Sequence, residues 1–197
     1  MEVIEREHYN NILKNSVLSS FELEDMIPLD IYHVNNWDRL IKNWDDDKRN
    51  EEPFIADFFF DSKDMIEFIK LLLKEIDISV CYFAPVYSGY KLLKPIDNMT
   101  ESIYCQMKQF LNSIGLRSNT TKAIKLNKDE LFEIIELWSV VGFSGLAEYS
   151  ILLPENKLLI TAYHHMNYLI YTNEKIDIKP IIKRYSTDSV ILYEEKK

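Results

Sequence analysis

The sequence YSILLPENKLLITAYHHMNYLIYT, residues 149–172, decides the fold class of this protein. Tyr149–Leu153 is a short, largely apolar run, and over 158–165 alternate positions form one largely apolar face and one that is mostly Tyr, Thr and His, which is typical of strands whose two faces meet different surroundings. Between them, Pro154-Glu155-Asn156-Lys157 supplies turn-forming residues, and a second tight turn precedes Asn167–Thr172. The stretch therefore predicts a three-stranded antiparallel meander.

Outside the meander, the apolar spacing predicts helices interspersed with short strands. Helical spacing covers residues 2–17, about 30–44, about 62–75, about 99–114 and about 127–141, whereas short apolar runs at 53–61, 78–83 and 121–126 predict strands. The helix at 62–75 is expected to be capped by Asp61 or Ser62. Asn127 and Glu130 have the spacing of a capping box at the start of the helix at 127–141. Residues 178–193 predict a helix or an extended tail.

The order of these elements favours an α+β fold, because helices and strands are interspersed while hairpins dominate the C-terminal half. We expect a single domain over residues 1–197, a length that suits one compact core. In this arrangement an antiparallel sheet with the C-terminal meander packs against helices. Residues 1–52 form an acidic, mostly helical N-terminal layer, and residues 53–197 form the core.

The charge of the chain is unevenly distributed. The sequence has 23 Lys and Arg against 32 Asp and Glu, a formal net charge of −9. Residues 1–61 hold 15 of the acids and 6 of the bases, which leaves 17 of each for residues 62–197. The whole excess of negative charge therefore lies in the first third. A patch of one sign speeds association with a partner of the opposite sign. An equally simple interpretation is a solvated surface that keeps the protein soluble.

The acidic residues are densest at 45–52, and two tryptophans lie just before this stretch. Aromatic residues beside charged ones are common in protein-binding surfaces. The tryptophans also lie seven residues apart, a spacing that places them on one helical face with Leu40 and Ile41, so inward packing is the alternative. The candidate binding residues of this stretch are Trp37, Trp44, Asp45, Asp46, Asp47, Glu51 and Glu52.

Composition excludes several other functions. An isoelectric point near 5.0 disfavours nucleic-acid and anionic-membrane binding. The chain has 4 glycines, too few to make a glycine-rich phosphate loop plausible. Neither a secretory signal nor an apolar stretch of about 20 residues is present. The two cysteines, Cys81 and Cys105, predict buried, reduced thiols and hence a cytoplasmic protein. We expect neither a cofactor nor a metal ion.

His164 and His165 are the residues that first suggest acid–base or metal chemistry. Successive side chains of a strand point to opposite faces, so the two imidazoles cannot share one metal ion without a bulge or turn. Leu159, Thr161, Tyr163 and His165 then share one face of the strand. A neutral face rich in tyrosine suits recognition, and Tyr163 and His165 are candidate binding residues. The same face could equally be covered by a helix of the chain.

Residues 148–172, a strand and turn followed by a strand bearing His164-His165 and a third strand, resemble the C-terminal sheet of some bacterial toxin-immunity proteins. Those proteins are small, acidic, cytoplasmic and non-enzymatic, and they block a toxin by covering its active site or an adjacent surface. The resemblance implies a protein-binding module with a basic protein partner such as a toxin, and it assigns no functional residue.

Two other hypotheses belong to different classes. The first is a small cytoplasmic hydrolase or transferase in which His164 or His165 works with an acidic residue distant in sequence. The second is an accessory protein of a phage or mobile element that acts by forming oligomers. The sequence leaves the oligomeric state open.

Overall fold

A computed structural model describes residues 1–16, 27–33, 52–85, 102–116, 120–143, 149–163, 166–172 and 177–193. The strands in these residues are β1 (Glu2–Ile4), β2 (Ile27–His33), β3 (Cys81–Pro85), β4 (Ala123–Leu126), β5 (Tyr149–Leu153), β6 (Leu158–Tyr163), β7 (Asn167–Thr172) and β8 (Val190–Tyr193). The helices are α1 (Arg6–Ser16), α2 (Glu52–Glu75), α3 (Ser102–Ser113), α4 (Lys128–Phe143) and α5 (Lys179–Tyr185).

The eight strands form one open sheet in the order β1-β4-β3-β5-β6-β7-β2-β8, and each adjacent pair is antiparallel. This arrangement confirms the predicted single-domain α+β fold. The predicted meander is also confirmed, since Leu153 pairs with Leu158 and Tyr163 pairs with Asn167. In the N-terminal third, α1 supplies a helical layer, while β1 and β2 join the sheet at opposite sides.

The inner face of the sheet carries the main hydrophobic core. Leu158, Ile160 and Ala162 of β6 point to this face, where they share one core cluster with residues of α2, α3, α4 and α5, and α4 packs directly against β6. At the centre, Trp138 of α4 is fully buried and stacks on Tyr168 of β7, with ring centroids 5.8 Å apart. The aromatic residues of the meander are thus divided between the faces, because Tyr168 lies in the core while Tyr163 lies on the other side.

Helix α4 approaches β6 unusually closely at Gly142. A Cβ atom at this position would lie 2.6 Å from the Cβ of Ala162 and 3.0 Å from its carbonyl oxygen. Real Cβ atoms essentially never come so near to another heavy atom, so only glycine fits here without a shift. Two small residues therefore set the distance between the helix layer and the meander.

The outer face of the sheet is covered over part of its width by α1. Tyr9 and Leu13 of this helix pack with Tyr82, Leu152 and Leu159 in a second hydrophobic cluster. Arg6 fixes the start of the helix, because its Nη1 donates to the carbonyl oxygen of Pro85 at 2.8 Å. Leu159 is therefore covered by a helix of the chain, which was one of the two alternatives for this face.

Five local predictions were wrong. The apolar run at 53–61 is not a strand but the first part of α2, so Asp61 and Ser62 are buried inside a helix and do not cap one. A short apolar run fits a buried helix as well as a buried strand. Residues 30–33 are strand rather than helix, and the predicted helix at 2–17 is preceded by β1. Cys105 is exposed on α3, although Cys81 is buried as predicted.

The capping box of α4 is confirmed. The amide nitrogen of Glu130 donates to Asn127 Oδ1 at 2.9 Å, and the amide nitrogen of Asn127 donates to Glu130 Oε2 at 2.9 Å. The amine of Met1 also donates to the Glu130 carboxylate, so β1 and the first turn of α4 are joined at this residue. Two of the amides that lack intrahelical partners at the helix start are thus satisfied by side chains.

We expect the contribution of Glu130 to stability to depend on pH. Hydrogen bonds from the Met1 amine and the Asn127 amide lower the pKa of Glu130 below its ordinary value of 4.5. Because the folded-state pKa is depressed, the stabilisation is present above pH 4.5 and is lost as the pH falls through the folded-state pKa. Denaturant unfolding of the native chain and Glu130→Gln should therefore give a stability difference that shrinks on acidification. Glu133→Gln, on the exposed side of the same helix, serves as the control, and a pH-independent difference for Glu130→Gln would contradict the assignment.

Candidate functional site

Polar side chains cluster on the outer face, beside the part covered by α1. Thr161 of β6 lies directly opposite Ser150 of β5 and, on its other side, opposite Leu169 of β7. Leu169 in turn lies opposite Asp30 of β2. Asn167, two residues before Leu169, points to the same face because side chains alternate along a strand. We call Asp30, Ser150, Thr161 and Asn167 the polar patch.

Two members of the polar patch are buried with polar atoms left over. Thr161 and Asn167 are each only 4% exposed. Asn167 Nδ2 donates to Asp30 Oδ1 at 2.7 Å, which orients the amide. Asn167 Oδ1 and Thr161 Oγ1 find no hydrogen-bond partner among the residues that the structure describes. Since buried polar atoms are nearly always paired, these two atoms mark a place where water or a ligand group would be bound.

The end of the polar patch next to α1 is closed by hydrogen bonds. Ser150 Oγ donates to the carbonyl oxygen of Ala84 at 3.4 Å and also bonds to the hydroxyl of Tyr9. Burial raises the pKa of Tyr9, so the phenol stays neutral at physiological pH. The Arg6 guanidinium lies over the Tyr9 ring, 5.2 Å from its centroid. The unsatisfied acceptors of the patch are therefore at the β6–β7–β2 end, away from this arginine.

A second cluster of titratable groups lies on the inner face. His33, the last residue of β2, is 2% exposed. Its Nε2 lies 3.8 Å from Asp61 Oδ1 and 3.5 Å from Asp64 Oδ2, both on α2. Asp61 is buried, whereas the Asp64 side chain is half exposed. We call these three residues the His33 cluster. It joins the end of β2 to the middle of α2.

Most of the binding residues predicted from the sequence fall outside the part of the chain that the structure describes. Trp37, Trp44, Asp45, Asp46, Asp47 and Glu51 lie outside the described residues, as do His164 and His165. Glu52 is the first residue of α2. Tyr163 is the last residue of β6, is partly exposed, and pairs in register with Asn167. The structure thus brings one candidate, Tyr163, next to the polar patch.

Sequence reasoning missed both clusters, although signals for them exist. In IPLDIYH, alternation places Asp30 on one face and His33 on the other, but only if residues 27–33 are recognised as a strand. Asp61 and Asp64 are three residues apart, which puts them on one side of a helix, but only if the run at 53–61 is helical. The errors in secondary structure therefore concealed the candidate sites.

Three further features were sought in the described ranges: a reactive thiol, a metal site and a membrane-spanning helix. Burial raises the pKa of the Cys81 thiol to about 12, which keeps it protonated and a poor nucleophile. No three His, Cys, Asp or Glu side chains in these ranges are grouped so that they could hold a metal ion. None of the described helices is both long and apolar enough to cross a bilayer.

Comparison with known proteins gives no family assignment. No family model matches the sequence, no curated protein matches it, and no solved structure matches it. The charges and contacts of this chain are therefore the basis on which its function has to be inferred.

Proposed function

We propose that this protein is a non-enzymatic, cytoplasmic binding module that neutralises a basic protein partner, in the manner of an immunity protein that blocks a toxin. The observation that carries the proposal is the net charge of −9 confined to residues 1–61. The binding surface would include the acidic stretch 37–52 and, on the sheet, Tyr163. A surface of one sign attracts an oppositely charged partner and raises the rate of association.

The ion pairs of the described residues support this location of the excess charge. Glu5 pairs with Lys122 at 2.6 Å and Glu2 pairs with Lys125 at 3.4 Å. The charges of these two acids are therefore balanced by lysines at β4. In the sequence between Asp45 and Glu52, by contrast, Lys48 and Arg49 stand against five acids. Residues 45–52 thus have a net charge of −3, with five acids among eight residues.

The attachment of the acidic stretch also supports the proposal. It leaves the sheet at His33 and rejoins the described structure at Glu52, the start of α2. Asp61, beside His33, is nine residues further along α2, a distance of about 14 Å at 1.5 Å per residue. The described residues on either side of the stretch, His33 and Glu52, therefore belong to two elements that contact each other, β2 and α2.

The test compares two variants with equal changes of charge. The tagged chain is expressed beside its neighbouring open reading frames, and a stoichiometric partner is identified by mass spectrometry. In Asp45→Lys/Asp46→Lys/Asp47→Lys, we expect the association rate with that partner to fall by about tenfold or more and its salt dependence to weaken. Asp77→Lys/Glu133→Lys/Asp188→Lys changes three exposed acids of residues 62–197 and should have a smaller effect. Equal rates for the two variants, or recovery of the chain alone at low salt, would count against the proposal.

The alternative is a His-centred hydrolase or transferase, and the His33 cluster is the observation that favours it. An imidazole flanked by carboxylates is a common acid–base arrangement. In this case His33→Gln would abolish an activity without changing partner capture. The 2% exposure of His33 favours a structural role instead, because a catalytic imidazole has to reach its substrate.

A further inference from the structure

We call residues 1–16, which comprise β1 and α1, the strap. We infer that the strap detaches from the sheet as a unit while the main core stays folded, and that ionic strength controls how often it does so. The strap lies outside the acidic stretch, so this inference is independent of the proposed function. Three observations carry it: the separation of the two hydrophobic clusters, the exposed ion pairs of the strap, and a buried donor of Arg6.

The strap covers a hydrophobic cluster that is separate from the main core. Ile4, Tyr9 and Leu13 of the strap belong to the second cluster. The other buried members of this cluster are sheet residues, namely Tyr82, Ala84, Ala123, Leu152 and Leu159. Among the described residues, the main core cluster contains no residue of the strap. Detachment of the strap therefore uncovers one face of the sheet and leaves the packing of the main core in place, which is what local unfolding requires.

Ion pairs hold the strap at the edge of the sheet. β1 is the edge strand, and it pairs with β4 over only three residues. In the described structure, three ion pairs join the strap to residues at β4 and α4, namely Glu2–Lys125, Glu5–Lys122 and the Met1 amine–Glu130. The side chains of the two Glu–Lys pairs are 42 to 73% exposed. Exposed pairs contribute little to stability and are screened by salt, so this attachment is weak and depends on ionic strength.

Arg6 opposes the attachment of the strap. Its Nη1 donates to the carbonyl oxygen of Pro85, but its Nε is buried without a hydrogen-bond partner among the described residues. Burial also lowers the pKa of Arg6, because it disfavours the charged guanidinium. A buried donor without a partner is destabilising, and detachment returns this donor to water. Opening is therefore easier than the burial of Ile4, Tyr9 and Leu13 alone would make it.

The detached state exposes apolar surface of the sheet. Tyr82, Leu152 and Leu159 are each at most 8% exposed beneath the strap, and water reaches them when the strap leaves. The strap is therefore a salt-sensitive cover over an apolar part of the outer face.

Native-state hydrogen exchange of the full chain, followed by NMR, tests the detachment. The amides of α1 should be at least about tenfold less protected than those of β6, because detachment exposes α1 without unfolding the main core. Ile135→Val weakens the main core and should lower the protection of β6 by about fivefold. The protection of α1 should stay unchanged in this variant, since the main core is folded whether the strap is attached or detached. Equal protection of α1 and β6, or an equal loss in both for Ile135→Val, would overturn the inference.

The dependence on ionic strength is tested by the protection of the α1 amides. Raising the NaCl concentration from about 0.05 M to about 0.5 M should lower this protection about two- to fivefold. Lys122→Glu/Lys125→Glu replaces two attractions by repulsions and should lower it about tenfold. The effect should extend to the amide of Leu13, about two helical turns beyond Glu5, because the strap moves as a unit.

A matched control separates the ion pairs from the overall charge. Lys63→Glu/Lys179→Glu makes the same change of charge at exposed lysines of α2 and α5, and it should leave the protection of α1 unchanged. If the control lowers the protection of α1 as much as the variant at Lys122 and Lys125, or if α1 responds to neither salt nor that variant, the ion pairs do not control the strap and the inference is overturned.

Discussion

Replacing His33 by alanine is expected to lower the free energy of unfolding by about 2 to 5 kcal/mol, because it leaves a cavity where a buried side chain fills the space between β2 and α2. The imidazole is enclosed between β2 and α2, with Asp61 and Asp64 as acidic neighbours at 3.8 and 3.5 Å. Without His33, the buried Asp61 carboxylate loses the basic group beside it. Urea unfolding followed by circular dichroism measures the change.

Two further variants, one of Asp61 alone and one of His33 and Asp61 together, distinguish the effect of the polar contact from that of packing. Asp61→Ala should cost less than His33→Ala, because it removes fewer buried atoms and Asp64 remains beside the imidazole. His33→Leu/Asp61→Leu replaces both groups by apolar side chains, a change that is often neutral or stabilising. If all three variants lose the same stability, the cluster acts through packing alone and the contact between the imidazole and the carboxylates does not stabilise this site.

Replacing Gly142 by alanine is expected to lower stability by about 1 to 3 kcal/mol, the usual cost of forcing extra volume into a packed core. The new Cβ would meet Ala162 Cβ at 2.6 Å and the backbone of Ala162 at 3.0 Å. Neither atom can move without shifting a strand in the middle of the sheet. Thermal and urea unfolding of the variant would measure the loss.

A second substitution on the facing strand tests the same contact. Ala162→Gly removes the nearer clashing atom, so Gly142→Ala/Ala162→Gly should recover part of the stability that Gly142→Ala loses. The recovery should be incomplete, because the carbonyl oxygen of Ala162 remains at 3.0 Å. Additive losses in the double variant would show that the two positions do not touch in the way described.

The parts of the fold that could be predicted are those encoded by neighbouring residues. The turn at residues 154–157 and the alternation of β6 specify the meander locally, and the capping box of α4 needs only Asn127 and Glu130. The run at 53–61 could not be assigned in the same way, because a short apolar run fits either a strand or a helix. Residues further along the chain favour the helix, since Met65, Ile69 and Leu72 recur at helical spacing and are buried in the core.

The candidate sites were harder to predict, because each combines residues from distant parts of the chain. Tyr163 was recognised from its strand alone, whereas the polar patch needs Asp30 from β2 beside Asn167 from β7. No local pattern indicates that pairing. The His33 cluster is concealed for the same reason, since it depends on β2 and α2 lying together.

The position of β2 between β7 and β8 has a consequence for synthesis on the ribosome. Ile27 pairs with Thr172, so β2 emerges about 145 residues before its first partner, a wait of roughly 7 to 30 s at about 5 to 20 residues per second. During that time β2 has neither of its partner strands, so Leu29 and Ile31, both buried in the folded protein, are not yet covered by the sheet. The nascent chain therefore completes its sheet only as the last strands are made, and chaperones that hold unpaired strands should matter for its yield.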